Sequence, residues 1–223
     1  MGHPTICDLT TLELANKIGI IDRVGEKFIF TQSSILEKYA DLRTVYKGEE
    51  RGIHIPNENI IDYFLRKKKS NLIHTEFIIK LLEQNKFIIR KEIDGCVNTM
   101  PFFEYCIFGL YHEEGHWVRS LSLTDEELSE EVENIRKENI ERYEYSKELY
   151  YQYINNPANY HDFYTKSMFG SELGYLDNKT LTELEDTYRN LPWEKYADNY
   201  AINEIKENKK LIQSIKEPYY LLF

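Results

Sequence analysis

The chain has 223 residues, of which 42 % are hydrophobic, and it carries a formal net charge of −10. This length suits one domain with a substantial core, and the hydrophobic content excludes an intrinsically disordered chain. The acidic balance disfavours proteins that bind nucleic-acid backbones or anionic membranes, and no apolar run approaches the roughly 20 residues of a membrane-spanning helix.

The N-terminal residues show no basic stretch followed by an apolar core, so we expect no signal peptide. The three cysteines, Cys7, Cys96 and Cys106, are odd in number and far apart in the sequence. This pattern is typical of reduced thiols and not of a disulfide framework or a structural zinc cluster. It predicts a cytoplasmic protein, with a delivered effector or toxin domain as the alternative. Cys106 is expected to pack in the core.

The first hundred residues predict a mixture of helices and strands. Capping residues, turn formers and apolar periods set the expected bounds. The expected elements are a helix capped by Asp8 or Thr10 that ends near Gly19, a strand at 27–31, a helix capped by Ser33 or Ser34 that runs to 42, a loop or short strand at 51–57, and helices at 59–68 and 75–85, the second capped by Thr75.

Two short apolar runs, at 87–93 and 96–99, flank Asp94 and Gly95. An Asp-Gly pair between two such runs is typical of a two-residue hairpin. A helix followed by a hairpin is also the arrangement of a winged helix-turn-helix, which would be a nucleic-acid-binding module. The acidic balance weighs against that alternative.

The next segment has the form H-E-x-x-H, with His112, Glu113 and His116 at the fixed positions. The apolar residues before it recur with a helical period, with Thr99 as the expected N-cap and Pro101 in the expected first turn. On a helix the two imidazoles project from one face and can supply two nitrogens to one tetrahedral Zn²⁺. Glu113 would then lie close to the water that such a metal activates, where a general base acts.

Residues 125–154 predict a long polar helix. Thr124 and Glu127 have the spacing of a capping box at its start. The apolar residues form one narrow stripe, so we expect a solvated helix that packs on one side. The alternative is a protruding insertion that shapes a substrate cleft.

The stretch 157–177 has no clear period and is rich in loop formers and aromatic residues, so it predicts an irregular segment. Long irregular segments in compact domains often carry function. His161 or Tyr164 within it could donate a hydrogen bond to the oxyanion of a tetrahedral intermediate. We place His161 among the expected catalytic residues on this ground.

A helix predicted at 180–189 leads to Pro192, which starts a further helix expected to run to about residue 214. This last helix contains the best candidate for a third metal ligand, Glu194, and Asp198 follows one turn later on the same face. The small side chains of Ala197 and Ala201 would let this helix approach the H-E-x-x-H segment closely. The spacing predicts that Glu194 binds the metal, whereas Asp198 accepts a hydrogen bond from the far nitrogen of a ligand histidine.

Together, H-E-x-x-H at 112–116 and E-x-x-A-D at 194–198 resemble the gluzincin metallopeptidases. That group includes thermolysin-like enzymes, CAAX-processing and heat-shock zinc proteases, and the zincin domains of some bacterial toxins and phage-associated peptidases. The resemblance implies a Zn²⁺-dependent peptide-bond hydrolase, and strands before the active-site helix whose sheet edge binds an extended peptide. The roles that it implies are zinc ligands at His112, His116 and Glu194, a general base at Glu113, and a partner of a ligand histidine at Asp198.

The whole sequence therefore predicts one α+β zincin-like domain over residues 1–223. Its expected parts are a mixed region with a small sheet and a hairpin at 1–100, the active-site helix at 101–119, a helical insertion at 120–190, and the third-ligand helix with its tail at 191–223. The expected cofactor is Zn²⁺, and the expected partner is a peptide or protein substrate, with no nucleic acid and no membrane span. The alternatives are a catalytically silent zincin-fold interaction module and a winged-helix-like regulator.

Overall fold

The structure is a computed structural model that describes residues 9–25, 28–32, 42–46, 51–70, 72–88, 91–93, 96–98, 101–155, 163–167 and 170–220. In chain order the elements are α1 (Thr11–Lys17), α2 (Ile20–Val24), β1 (Phe28–Gln32), β2 (Arg43–Val45), β3 (Gly52–Asn57), α3 (Ile60–Ser70), α4 (Leu72–Gln84), β4 (Lys91–Ile93), β5 (Cys96–Asn98), α5 (Phe102–Ser122), α6 (Asp125–Asn155), β6 (Phe163–Ser167), β7 (Gly170–Asp177), α7 (Asn178–Arg189), α8 (Pro192–Glu207) and α9 (Lys209–Tyr220). The described residues are mostly helical and add small sheets, which is the broad α+β class that the sequence predicts.

By its internal contacts the chain divides into two compact units. Unit 1 comprises Met1–Arg66, Ile79–Ser122 and Pro192–Phe223, and unit 2 comprises Lys67–Ile78 and Leu123–Leu191. Both the H-E-x-x-H segment and the predicted third-ligand helix belong to unit 1. The expectation of a single domain over the whole chain stays a prediction.

In unit 1, the first three strands form a sheet in the order β1–β3–β2. β1 runs parallel to the central strand β3, whereas β2 pairs with β3 in the antiparallel sense, with Thr44 opposite Ile53. The residues of β3 from Gly52 to Pro56 are all buried, which fits a central strand covered on both faces. The segment 51–57, predicted as a loop or short strand, is therefore mostly strand.

The start of α1 shows how local sequence places an element against this sheet. Thr10 is the N-cap, and it forms a capping box with Glu13, in which each backbone N–H donates to the other side chain. The next residue, Thr11, is buried and donates its hydroxyl to the backbone oxygen of Pro56 at the end of β3. The predicted cap at Thr10 is confirmed, and Asp8 lies outside the described residues.

α5 is the central helix of unit 1, with 21 residues and buried side chains on most of its faces. The carbonyl of Pro101 accepts the N–H of Tyr105 at 2.8 Å. Pro101 therefore precedes the helix and does not lie in its first turn, and Thr99 lies outside the described residues. Cys106 is buried in the core, as predicted, and its Sγ lies 3.6 Å from the backbone oxygen of Ile60.

In unit 2, the 31-residue helix α6 begins at the predicted capping box. The backbone N–H of Thr124 donates to Glu127 at 2.8 Å, and the N–H of Glu127 donates to the Thr124 hydroxyl at 3.2 Å. The hydrogen bond from the Thr124 backbone stabilises the carboxylate and lowers the pKa of Glu127. The predicted helix start is thus confirmed, because capping depends only on residues three positions apart.

Unit 2 also contains a polar cluster that the sequence did not indicate, in which Glu185 and Arg189 are buried and His74 is partly buried. His74 Nδ1 lies 2.7 Å from Glu185 Oε1, and Arg189 Nε lies 3.2 Å from the same oxygen. Burial, with the Arg189 charge as the second cause, lowers the pKa of His74. The sequence analysis treated His74 as an ordinary polar residue, since Glu185 lies 111 positions away and no local pattern connects them.

Three further sequence predictions of secondary structure are wrong. The stretch 157–177 is not irregular where it is described, because β6 and β7 pair as an antiparallel hairpin with a register shift between Thr165 and Ser167. Such an irregularity interrupts the period-2 alternation by which a strand is recognised in a sequence. Thr75 is not a cap, since α4 begins at Leu72 and buries Thr75 in its interior.

The third wrong prediction concerns the helix expected from Pro192 to about residue 214. α8 ends at Glu207, and α9 begins at Lys209 after a turn at Asn208. The backbone N–H of Asn208 donates to the backbone oxygen of Glu204 at 2.9 Å, and the Asn208 side chain donates to the same oxygen at 3.0 Å, which competes for this carbonyl at the end of α8. The strand predicted at 27–31 and the hairpin around residues 94 and 95 are confirmed by β1 and by the antiparallel pair β4–β5.

Candidate metal centre

The two histidines of the H-E-x-x-H segment lie one turn apart on α5. Because helical residues four positions apart share a face, both rings point to the same side of the helix. The Nε2 atoms of His112 and His116 lie 3.1 Å apart, and the residues are 8 % and 6 % exposed. Two imidazole nitrogens therefore meet at one buried point.

α8 brings a carboxylate to the same point. Glu194 lies in the first turn of this helix, after Pro192, and is 4 % exposed. Its Oε2 lies 3.3 Å from His112 Nε2, and its Oε1 lies 3.6 Å from His116 Nε2. One ligand atom from each of the three residues falls within 4.8 Å of the others.

The next turn of α8 places Asp198 behind the first histidine. Asp198 Oδ1 lies 2.9 Å from Nδ1 of His112, on the opposite side of the ring from Nε2. A proton on Nδ1 would be stabilised by this carboxylate. The Nε2 lone pair, on the side of His116 and Glu194, would then be available to a cation.

The spacing of these atoms fits a single metal ion. Three atoms bound at tetrahedral angles and at about 2.0–2.2 Å from one ion lie about 3.3–3.6 Å from each other. The shortest separations between the three pairs of side chains are 3.1, 3.3 and 3.6 Å, the last two to different oxygens of Glu194. A shared proton could also hold such a cluster together as a set of salt bridges, so the geometry alone establishes a buried group that could bind a metal ion.

Close packing of α5 on α8 depends on a residue inside the motif. A Cβ atom built on Gly115 would lie 3.0 Å from the Cα of Ala197 and 3.0 Å from the Cβ of Tyr200. Ala197 and Ala201 are both fully buried. The absence of side-chain bulk at these positions lets the helix that carries Glu194 reach the histidines, as the sequence predicts for the two alanines.

Aromatic side chains pack against both histidine rings. The ring of Phe108 stacks on His112 at a centroid distance of 5.9 Å, and Tyr46 approaches His116 edge to face at 6.3 Å. These contacts restrict the rotation of the imidazoles about their side-chain bonds. Each of the two imidazole rings is therefore held in its orientation by one aromatic neighbour.

Glu113 follows His112 on α5, about 60° around the helix from His116, and strand β2 contacts it. The Thr44 hydroxyl lies 2.8 Å from Oε2 of Glu113 and 2.9 Å from its backbone oxygen. The strand that contacts this residue therefore belongs to the three-stranded sheet β1–β3–β2. Thr44 lies 69 positions from Glu113, and no local pattern could have identified it.

Glu114, the other acidic residue of the motif, forms an ion pair with Arg23. It is 1 % exposed and accepts two hydrogen bonds from Arg23 of α2, at 2.6 and 2.8 Å. The hydrogen bond to Glu114 raises the pKa of Arg23. Burial raises the pKa of the adjacent Tyr111 to about 12, so its phenol stays neutral. This ion pair fixes α2 against α5 and was also missed in the sequence, because its partners lie 91 positions apart.

Two predicted oxyanion donors cannot be placed against this centre. His161 lies outside the described residues, and Tyr164 lies in β6, where only the backbone is described. Their roles stay predictions.

Within the described residues, no helix is long and apolar enough to cross a membrane. No protein-family model matches the chain, and neither a curated protein nor a solved structure matches it significantly.

Proposed function

We propose that this protein is a zinc-dependent peptide-bond hydrolase of the gluzincin type. The observation that carries the proposal is the convergence of His112, His116 and Glu194 in unit 1, with Asp198 on the far nitrogen of His112. Two imidazoles and one carboxylate suit Zn²⁺ better than Mg²⁺ or Ca²⁺, which prefer oxygen ligands. Three protein ligands would also leave a fourth position for the substrate, as in catalytic zinc sites.

Each residue of the centre has a distinct part in the proposed reaction. His112, His116 and Glu194 hold the ion, which, when bound, polarises the scissile carbonyl and makes water a stronger acid. Glu113 accepts the proton of the attacking water on its carboxylate and passes it to the leaving amine. Asp198 keeps the Nδ1 proton of His112 in place, so that the ring stays oriented and basic.

We further propose that unit 1 is a zincin-like domain. The support is its order of elements, with the sheet β1–β3–β2 before the helix that carries H-E-x-x-H, and a later helix that carries the third ligand. The substrate in this proposal is a peptide or a protein.

Metal analysis of the purified protein tests the proposal most directly. We expect about one Zn²⁺ per chain, measured by elemental mass spectrometry after dialysis. His116→Ala should lower the bound zinc to a small fraction of this, because two ligands rarely retain the ion. Glu207→Gln, an exposed change on the same helix as Glu194, is the matched control and should keep the full amount. A metal-free preparation that also refuses added zinc would contradict the proposal.

A second prediction separates the ligand on α8 from its neighbour one turn later. Asp198→Asn keeps the size of the side chain but removes the charge that faces His112 Nδ1. We expect zinc affinity and hydrolysis to fall about 10–100-fold while the fold is retained. Glu194→Gln removes a charged ligand and should be clearly worse in zinc affinity, as measured by competition with a chromophoric chelator. If Asp198→Asn lost more zinc affinity than Glu194→Gln, Asp198 would be the metal ligand and Glu194 the partner of the histidine.

A further inference from the structure

Strand β2 contacts Glu113 through the hydroxyl group of Thr44, which lies within hydrogen-bond distance of two oxygens of Glu113. The Thr44 hydroxyl has one proton and two acceptors within reach, Oε2 of Glu113 at 2.8 Å and the Glu113 backbone oxygen at 2.9 Å. A carboxylate is the stronger acceptor, because a hydrogen bond to a charged group is shorter and stronger than one to a neutral carbonyl. Thr44 therefore donates to Oε2.

The backbone that carries this hydroxyl is held by the sheet. Thr44 pairs with Ile53 of the central strand, and Ile53 is fully buried. Two residues later, Tyr46 lies edge to face against His116. The short segment from Thr44 to Tyr46 thus contacts both the residue proposed as the base and a residue proposed as a metal ligand.

A glutamate side chain has several rotatable bonds, and a base acts only when its oxygen is correctly placed. Misplacement of a reacting group by about 1 Å can cost two orders of magnitude in rate. A hydroxyl fixed on a strand can remove much of this freedom by holding one oxygen of the carboxylate.

We propose that Thr44 is a positioning residue for Glu113: its hydroxyl holds Oε2 and so presents Oε1 to the attacking water. Thr44 itself transfers no proton in the reaction, since its O–H bond stays intact throughout. The proton moves from water to Oε1 of Glu113 and from there to the leaving amine. This inference rests on the proposed hydrolytic function, but the contact that carries it can be tested without activity.

The kinetic test compares Thr44→Val, which keeps the branched shape and loses the hydroxyl, with Thr44→Ser, which keeps the hydroxyl. For Thr44→Val we expect kcat to fall about tenfold, while KM and zinc affinity change less than about twofold. Thr44→Ser should recover most of the loss in kcat. Equal effects of the two variants, or a change confined to KM, would show that Thr44 only shapes the strand and would overturn the inference.

The second test uses metal-free protein and measures unfolding in urea for Thr44→Val, Glu113→Ala and the double variant. In the wild-type background Thr44→Val should raise the unfolding equilibrium constant about tenfold, as expected for a lost hydrogen bond to a charged group. In the Glu113→Ala background the same change should raise it clearly less, about two- to threefold, since the charged acceptor is gone and only the Glu113 backbone oxygen remains within reach of the hydroxyl. Additive effects would disprove the contact. Thr44→Ala replaces Thr44→Val in this cycle if the valine variant does not fold.

The two tests separate the possible failures. If the wild-type protein binds zinc and hydrolyses peptides but Thr44→Val has the wild-type kcat, the positioning role is wrong and the proposed function stands. If the wild-type protein neither binds zinc nor hydrolyses peptides, the proposed function is wrong, and additivity or coupling in the urea experiment still decides whether Thr44 holds Glu113.

Discussion

Glu113→Gln is expected to abolish peptide hydrolysis while the protein keeps its zinc and its fold. An amide has no basic oxygen to take a proton from water, and loss of a general base typically costs about 10²–10⁴-fold in rate. The amide oxygen can still accept the hydrogen bond from Thr44, so the variant keeps the contact with β2. Digestion of a peptide library, followed by mass spectrometry, measures the loss.

The control for this variant is Glu104→Gln on the same helix. Glu104 forms an ion pair with Lys216 and takes no part in the metal centre. Its replacement should leave zinc content and the rate of hydrolysis close to wild type. If Glu113→Gln were as active as this control, Glu113 would not be the base, and the catalytic part of the proposed function would fail.

The second large effect is expected from Gly115→Ala. The added Cβ would meet the backbone of α8 at Ala197 and the base of the Tyr200 side chain, both at 3.0 Å, and neither can turn away. Overpacking of this kind costs about 1–3 kcal/mol, which exceeds the ~0.5–1 kcal/mol that alanine gains over glycine in a helix. We therefore expect a net loss in the free energy of unfolding, together with at least a tenfold loss of zinc affinity, because α8 carries Glu194.

Gly109→Ala is the matched control for Gly115→Ala. Gly109 lies on the same helix, and a Cβ there would come within 3.0 Å of Cδ2 of Leu42, the far end of a flexible side chain. The helix gains the same ~0.5–1 kcal/mol from alanine, and Leu42 can adjust its rotamer. We expect equal or higher stability by urea unfolding and unchanged zinc affinity. Equal effects of the two substitutions would show that the approach of α8 at Gly115 does not control the centre.

The features that the sequence predicted well depend on residues a few positions apart. Thr10 and Thr124 identify helix starts because a cap acts on residues within one turn. The spacing of His112 and His116 places two rings on one face of any helix, and the same argument relates Glu194 to Asp198. The convergence of the two helices was predicted from the need for a third ligand, the spacing of Glu194 and Asp198, and the family resemblance, and the structure brings these side chains together.

The features that the sequence did not predict depend on partners far apart in the chain. Thr44 and Arg23 contact the motif across 69 and 91 positions, and nothing in their local sequence distinguishes them from other polar residues. The pairing of β6 with β7 was missed because an irregular register removes the alternation that marks a strand. Such pairings are decided by tertiary packing, which a single sequence does not display.

The discontinuity of unit 1 has a consequence for the protein during its synthesis. Domains generally fold as units while the chain emerges from the ribosome, with N-terminal parts first. α5 emerges with the two histidines and Gly115 long before α8, because the whole of Leu123–Leu191 is translated in between. Until Pro192–Glu207 has been made, the face of α5 around Gly115 has no covering helix. Unit 1 must therefore complete its core late in translation, and in nascent chains that stop before α8 the residues of α5 around Gly115 lack the helix that covers them.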